Sequence, residues 1–243
     1  MLVDFRMPEL KKHNFFKRAF TLAEVLVTLS IIGIVSAMTI PTLHQRQTEK
    51  VSVNKVKKFY STLNQSFQKA IVENGESDNW LLTGNSREDA LLIYDYVIKN
   101  KFKIMTECGF ENKNNCVYNG NYLYFNGDKH WNYASHPSLG FYKLILNDGS
   151  SVFFTADNKN MAFYIDVNGP AKPNRFGHDL FSFAVKANKV LPSGFQDSDY
   201  AFDKSCKSTQ NGIGCTAWLI YKGNMEYKYC DDLEWNGKQK CSK

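Results

Sequence analysis

The sequence lacks the patterns that identify common enzymes and metalloproteins. Its six cysteines include no Cys-x-x-Cys pair, which argues against zinc-ribbon and thioredoxin-type sites. There is no nucleophile elbow, paired metal-ligand motif or phosphate-binding loop, and no internal repeat or low-complexity linker. Four of the five histidines are scattered along the chain: His44, His130, His136 and His178. We therefore predict a protein that is not an enzyme and has no catalytic residues.

A strong basic charge is also missing once the first 19 residues are set aside. That stretch carries five basic and two acidic side chains, so it accounts for half of the net charge of +6. The basic excess of the remainder is too small to predict nucleic-acid binding.

One apolar run, residues 20–43, is long enough to cross a bilayer, which takes about 20 residues as a helix. Basic residues precede it, so the positive-inside rule leaves residues 1–19 in the cytoplasm and the rest outside. An ordinary signal peptide does not explain the run, because no Ala-x-Ala cleavage site follows it. It also contains Glu24, whose ionised carboxylate costs about 2.5–3.5 kcal/mol or more in lipid.

Residues 17–26, KRAFTLAEVL, resemble the processing and methylation motif of type IV prepilins and type II secretion pseudopilins. The resemblance implies that a prepilin peptidase cleaves between Ala19 and Phe20 and methylates the new amine of Phe20. Glu24 matches the glutamate that the family uses in assembly, and Pro41 matches its helix-kinking proline. The chain departs from the family at Ala19, where glycine is usual, but both residues are small.

The helix that begins at Phe20 is predicted to continue into the exported domain. Pro41 should kink it, and Gly33 is a second weak point. Its second half, residues 44–74, has an amphipathic pattern and ends before a glycine. A short helix is predicted at 87–99. A β-rich region is predicted at 117–243, with strands at 118–125, 141–146, 151–155, 161–167 and 180–185. The predicted fold class is α+β and pilin-like, with the long helix packed on a mainly antiparallel sheet and one additional short helix.

The six cysteines all lie in the part of the chain that would be exported, 44–243. This distribution predicts disulfides formed in an oxidising compartment, although six cysteines allow fifteen pairings. Their order suggests three local pairs, and free buried thiols are the alternative. The candidates are Cys108 with Cys116, Cys206 with Cys215, and Cys230 with Cys241.

The loop from Asp166 to Asp179 is rich in oxygen side chains and glycine, and two interpretations stay open. Calcium prefers such ligands, and some pseudopilins bind calcium in a comparable loop. The spacing is not that of an EF-hand, however, and Lys172 and Arg175 would oppose a cation. A turn-rich connection held by Asx hydrogen bonds is the other interpretation.

The prepilin resemblance implies a structural subunit of a type IV pilus or a type II secretion pseudopilus, anchored by a single span in the bacterial inner membrane before it enters a filament. Its expected partners are other pilin subunits, the prepilin peptidase, the inner-membrane assembly platform and membrane lipid. The alternative is a membrane-tethered extracytoplasmic binding domain that does not polymerise.

Overall fold

Helix α1 (Leu22–Asn74) takes up 53 residues and is the longest element of the fold. The structure is a computed structural model that describes residues 20–80, 82–134, 140–157, 160–195 and 199–242. The helix ends at Asn74, as the sequence predicts, because Gly75 follows with φ of +80°. Glycine reaches this left-handed conformation without a Cβ clash and so terminates the helix.

The chain divides into two compact units between Arg46 and Gln47, and α1 contributes residues to both. The exported domain was predicted to begin at residue 44, slightly before this boundary. The first unit holds the apolar part of α1, and the second holds its amphipathic part together with the sheet.

Within the second unit, α1 buries one side against the core. The buried apolar positions recur at steps of three and four residues, which places them on one helical face. The Phe59 ring lies 5.5 Å from the ring of Phe183 in the sheet, and the Phe67 ring lies 5.3 Å from that of Trp80. The members of this face are Val53, Val56, Phe59, Leu63, Phe67 and Ala70.

A six-stranded sheet follows, in which every strand pairs antiparallel with the next one along the chain. The turn between its second and third strands contains Gly149 at φ of +79°, in the Asn-Asp-Gly sequence that predicts a hairpin. The strands are β1 (Ile104–Gly109), β2 (Tyr142–Leu146), β3 (Ser151–Asp157), β4 (Asn160–Asp166), β5 (Leu180–Lys186) and β6 (Lys189–Pro192).

Both faces of the sheet are covered, because alternate side chains of a strand point to opposite sides. In β3, Val152 and Phe154 belong to the core cluster that contains the α1 face. Phe153, between them, belongs to a second cluster with Tyr122 and Tyr133 from the preceding irregular segment. The α+β, pilin-like fold class is confirmed by the long N-terminal helix and this antiparallel sheet.

The short helices differ in number from the prediction. The predicted helix at 87–99 is present as α2 (Ser86–Ile93), which continues as a π-helical turn from Tyr94 to Ile98. Two further helices, α3 (Phe202–Ser205) and α4 (Cys215–Lys222), were not predicted, so the expectation of one additional short helix is wrong. A short apolar run such as that of α4 does not distinguish helix from strand by periodicity.

The predicted β-rich region at 117–243 also needs correction. The strands run from Ile104 to Pro192, and α3 and α4 follow them. The predicted strand at 118–125 forms only isolated bridges at Leu123. Its Asn-Gly-Asn sequence at 119–121 favours turns and interrupts the aromatic pattern.

Candidate processing and assembly site

The described chain begins at Phe20, which is 86% exposed and lies two residues before the start of α1. Ala19 and the rest of the predicted leader, 1–19, lie outside the described residues. The predicted cleavage site is therefore described on its Phe20 side alone.

Thr21 and Glu24 form a reciprocal pair of hydrogen bonds at the start of α1. The Thr21 amide and hydroxyl both donate to Oε2 of Glu24 at 2.9 Å, and the Glu24 amide donates to the Thr21 hydroxyl at 3.3 Å. This is a capping box, in which an N-cap threonine and a glutamate three residues later satisfy two amides of the first turn. The Thr-x-x-Glu spacing in the sequence is the signal for this box, and the sequence prediction included Glu24 but not Thr21.

The capping box leaves part of the Glu24 carboxylate available. Oε2 accepts both bonds from Thr21, whereas Oε1 accepts none from the described residues. A negative charge is also stabilised at a helix N-terminus by the helix dipole. Glu24 can therefore keep its place in α1 and still receive a cationic group from outside the chain.

The part of α1 that lies in the first unit presents an apolar surface that the described residues leave uncovered. The most apolar 18-residue window has a mean hydropathy of 2.0, and none of it is buried; by length and composition this helix could cross a membrane. Its hydroxyls bond to its own carbonyls, as in Thr28 to Val25 at 2.9 Å and Ser30 to Leu26 at 2.8 Å. The exposed apolar side chains include Leu22, Val25, Leu26, Leu29, Ile32, Val35, Met38, Ile40 and Leu43.

Pro41 and Gly33, the two predicted weak points, both lie inside this part of α1. Pro41 has no amide hydrogen and so removes one bond of the helix. A Cβ at Gly33 would meet nothing within 4 Å, so no contact with the described residues requires a glycine there. The kink stays a prediction, since the helix is continuous through both residues.

The six cysteines form three disulfides between neighbours in sequence. Their Cα atoms are 6.2 Å apart for Cys108–Cys116, 4.9 Å for Cys206–Cys215 and 5.8 Å for Cys230–Cys241. This is the pairing that the sequence order suggested, and free thiols are absent from the described residues.

The C-terminal disulfide loop is anchored on α1 within the second unit. Nζ of Lys228 lies 2.9 Å from Oε1 of Glu49, and both side chains are 15% exposed. The Tyr229 hydroxyl donates to the same carboxylate oxygen, and the next residue is Cys230 of the Cys230–Cys241 bridge. The sequence offered no signal for this contact, which joins residues about 180 positions apart.

In the 166–179 loop, the two carboxylates hold the main chain. Asp179 accepts from the amides of Asn174 at 2.8 Å and Arg175 at 2.6 Å. Asp166 accepts from the Asn168 amide at 3.4 Å. Burial raises the pKa of both carboxyls, that of Asp179 to about 6, and the charge of Asp179 raises that of Asp166 further. These bonds are those of an Asx-type connection.

The calcium interpretation of this loop stays a prediction. Calcium takes six to eight oxygen ligands. Across the described residues, no group of three or more His, Cys, Asp or Glu side chains could hold a metal ion.

Comparison with known proteins separates the chain into the same two parts. Residues 15–40 match the prokaryotic N-terminal methylation motif, which is typical of type IV pilins and pseudopilins. Residues 42–236 match the family of unknown function DUF6613. Neither the curated proteins nor the solved structures contain a match. Because the second match covers most of the chain, this protein belongs to the DUF6613 family, and it carries a prepilin-type methylation motif at its N-terminus.

Proposed function

We propose that the protein is a structural subunit, a pilin or pseudopilin, of a type IV pilus or a type II secretion pseudopilus. The observation that carries this proposal is a prepilin-type motif on a helix whose most apolar window has no buried residue in the described structure. Lipid covers that surface before assembly, and the same helices of other subunits cover it in the filament.

The motif supports the following order of events. The chain is inserted in the bacterial inner membrane with its C-terminal domain outside, where the three disulfides form. The prepilin peptidase then cuts between Ala19 and Phe20 and methylates the Phe20 amine. The assembly platform finally moves the mature chain into a filament with its partner pilins.

Glu24 has a physical role in that last step. The amine created at Phe20 is positively charged, and burial in a filament leaves it without water. Oε1 of Glu24 in a neighbouring subunit accepts this charge while Oε2 keeps its bonds to Thr21. Removing one member of such a buried pair costs about 3–5 kcal/mol.

Processing is tested by co-expression with a prepilin peptidase and mass spectrometry of the membrane fraction. We expect a chain that starts at N-methylated Phe20. Ala19→Leu should block cleavage because leucine is bulky, and Ala19→Gly, the matched control, should be processed normally. An intact leader on the wild type, or a cut beyond Pro41, would refute the proposal.

Assembly is tested with two variants that separate the functions of the capping box. Glu24→Gln keeps an acceptor for Thr21 but removes the charge, whereas Thr21→Val breaks the box and keeps the charge. Loss of the cap costs about 0.5–2 kcal/mol, so Thr21→Val should still enter sheared filaments. Glu24→Gln should be inserted and folded, yet absent from them. Equal incorporation of both variants would remove the assigned role of Glu24.

The tethered binding domain is the alternative, and the same fractionation separates it. A wild-type chain that is correctly processed but absent from every filament fraction, with all partner pilins present, would favour that alternative.

A further inference from the structure

Three chain segments lie side by side in the irregular part of the second unit, with Leu123 in the middle. On one side, Leu123 bridges antiparallel to Lys129; on the other, it bridges parallel to Arg175. The Leu123 amide donates to the Asn174 carbonyl at 2.9 Å, and the Phe176 amide donates to the Leu123 carbonyl at 2.9 Å. Lys129 and Arg175 therefore flank one residue in the same register.

This register places both cations on the same face. Directly paired residues of neighbouring strands share a side, and alternate residues point to opposite sides. Tyr122 and Phe176, one position away, are fully buried in the second core cluster. Lys129, Leu123 and Arg175 consequently face outward. Neighbouring strands lie about 4.8 Å apart, so the Cα atoms of Lys129 and Arg175, on either side of Leu123, are about 10 Å apart. Both side chains can therefore reach one ligand.

The outward face is the floor of a concave site with a cavity volume of about 510 Å³. Besides Lys129, Leu123 and Arg175, the residues that line it are Tyr118, Asn121, Lys172, Pro173 and Asn174. None of these described residues carries a carboxylate. Three cations thus converge without an acidic partner among the described residues that form the site. Nε of Arg175 is buried and has no hydrogen-bond partner within the described chain, so the part of the side chain that lines the site is what a ligand can contact.

The site is held in place by its surroundings. The Arg175 amide donates to Asp179 at 2.6 Å, so a buried carboxylate fixes the main chain under the guanidinium. The Tyr118 ring lies across Gly120, where an added Cβ would come within 2.6 Å of it, and packs edge-on against Tyr122. A preorganised site of this kind loses less entropy when a ligand binds.

We propose that this site binds an anionic saccharide, a sugar whose carboxylate pairs with Arg175, Lys129 and Lys172. Arginine engages a carboxylate with two parallel hydrogen bonds, and lysines add charge. The Tyr118 ring and the Asn121 amide offer an apolar face and hydrogen-bonding groups for the ring and hydroxyls. The volume lies within the range of about 300–1,000 Å³ typical of ligand sites.

The compact shape favours a saccharide over a nucleic acid. A nucleic acid would require a basic stripe along which successive phosphates bind, whereas these cations meet at one concavity. The inference concerns the second unit of the chain and does not depend on filament assembly.

The test is calorimetric titration of the full chain, purified in neutral detergent, with a short oligogalacturonate. The methyl ester of the same oligomer, which lacks the charges, is the matched ligand control. We expect the acid to bind at least ten times more tightly than the ester. Arg175→Gln should weaken binding at least tenfold, and Lys129→Gln severalfold. Arg175→Lys should also weaken binding, because lysine keeps the positive charge but cannot form the two parallel hydrogen bonds of a guanidinium.

Lys240→Gln is the matched protein control, since Lys240 is exposed, lies outside the site and carries the same charge. It should bind like the wild type, and all variants should keep the wild-type unfolding midpoint. No binding of the acid, equal binding of the ester, or an equal loss in Lys240→Gln would overturn the proposal. The proposal would also be overturned if inorganic phosphate displaced bound oligogalacturonate as effectively as free oligogalacturonate does. Tighter binding of a short single-stranded oligonucleotide than of oligogalacturonate would overturn it as well.

Discussion

His178 and Asp179 are neighbours whose pKa values are shifted so that their effects on stability oppose each other. Burial, together with the charges of Lys228 and Arg175, lowers the pKa of His178 from 6.5 to about 4. Burial raises the pKa of Asp179 from 3.8 to about 6, against the amides that bond to it. In the pH range between about 4 and 6, each of the two groups binds a different number of protons in the folded chain than in the unfolded chain.

The sign of each contribution follows from which state takes up the proton first. Folded Asp179 binds its proton at higher pH than the unfolded chain does, so acidification from about pH 7 to about pH 4.5 stabilises the fold by about 2 kcal/mol. His178 behaves in the opposite way: the unfolded chain is protonated first, and the same change destabilises the fold by about 2 kcal/mol. The two contributions of the wild type nearly cancel.

Single substitutions should expose each contribution. Relative to wild type, His178→Gln should gain about 2 kcal/mol of stability over this acidification, and Asp179→Asn should lose about 2 kcal/mol. Asp166, whose pKa is also raised, acts in the same direction as Asp179 and so does not change these signs. The measurement is urea unfolding of the full chain in detergent, followed by tryptophan fluorescence at several pH values.

His44→Gln is the matched control, because His44 is exposed on α1 and belongs to the other unit. Each variant is compared with wild type at every pH, which removes the titration of the other carboxylates. If His178→Gln follows the same pH dependence as wild type, His178 is not held neutral by its surroundings and the reasoning fails.

Two further predictions concern the second unit of the chain. Non-reducing peptide mapping of exported protein should recover Cys108 with Cys116, Cys206 with Cys215 and Cys230 with Cys241, and removal of one bridge should cost about 2–3 kcal/mol; six alkylatable thiols in native protein would contradict this. A double-mutant cycle of Glu49→Gln and Lys228→Met should give a coupling energy of about 1–2 kcal/mol, a value between those of exposed ion pairs and fully buried ion pairs. If the losses of stability in the two single variants simply add up in the double variant, the pair does not hold the C-terminal loop on α1.

The elements predicted best from the sequence have either a long periodic pattern or a turn signal in consecutive residues. The α1 helix has a sustained period and a glycine stop, and the Asn-Asp-Gly turn between β2 and β3 has its own backbone signal. α4 was missed because eight residues are too few for a period to appear. Strand β1 was missed because its sequence is partly polar and it lies at the edge of the sheet.

The capping box at the start of α1 could be predicted from the sequence, because its residues lie close together in the chain, whereas cleavage between Ala19 and Phe20 and the assembly role of Glu24 stay predictions. Phe20, Thr21 and Glu24 lie within about one helical turn, and the Thr-x-x-Glu spacing alone specifies the capping box. The contact of Glu49 with Lys228 could not be predicted in this way, since it depends on how the chain returns to α1 after the sheet.

The segment at 118–125 shows how a wrong prediction of structure can conceal a surface. Its aromatic and apolar residues suggested an ordinary strand of the main sheet. Instead, Leu123 pairs with Lys129 and Arg175 in neighbouring segments. One face of these three segments is part of the second core cluster, and the other face carries the basic side chains. The sequence showed Lys172 and Arg175 only as charges that oppose calcium in their loop. Because Asp166 and Asp179 are buried beneath that loop and bond to its amides, the outward charge of this surface is positive, and an anion is the ligand that it favours.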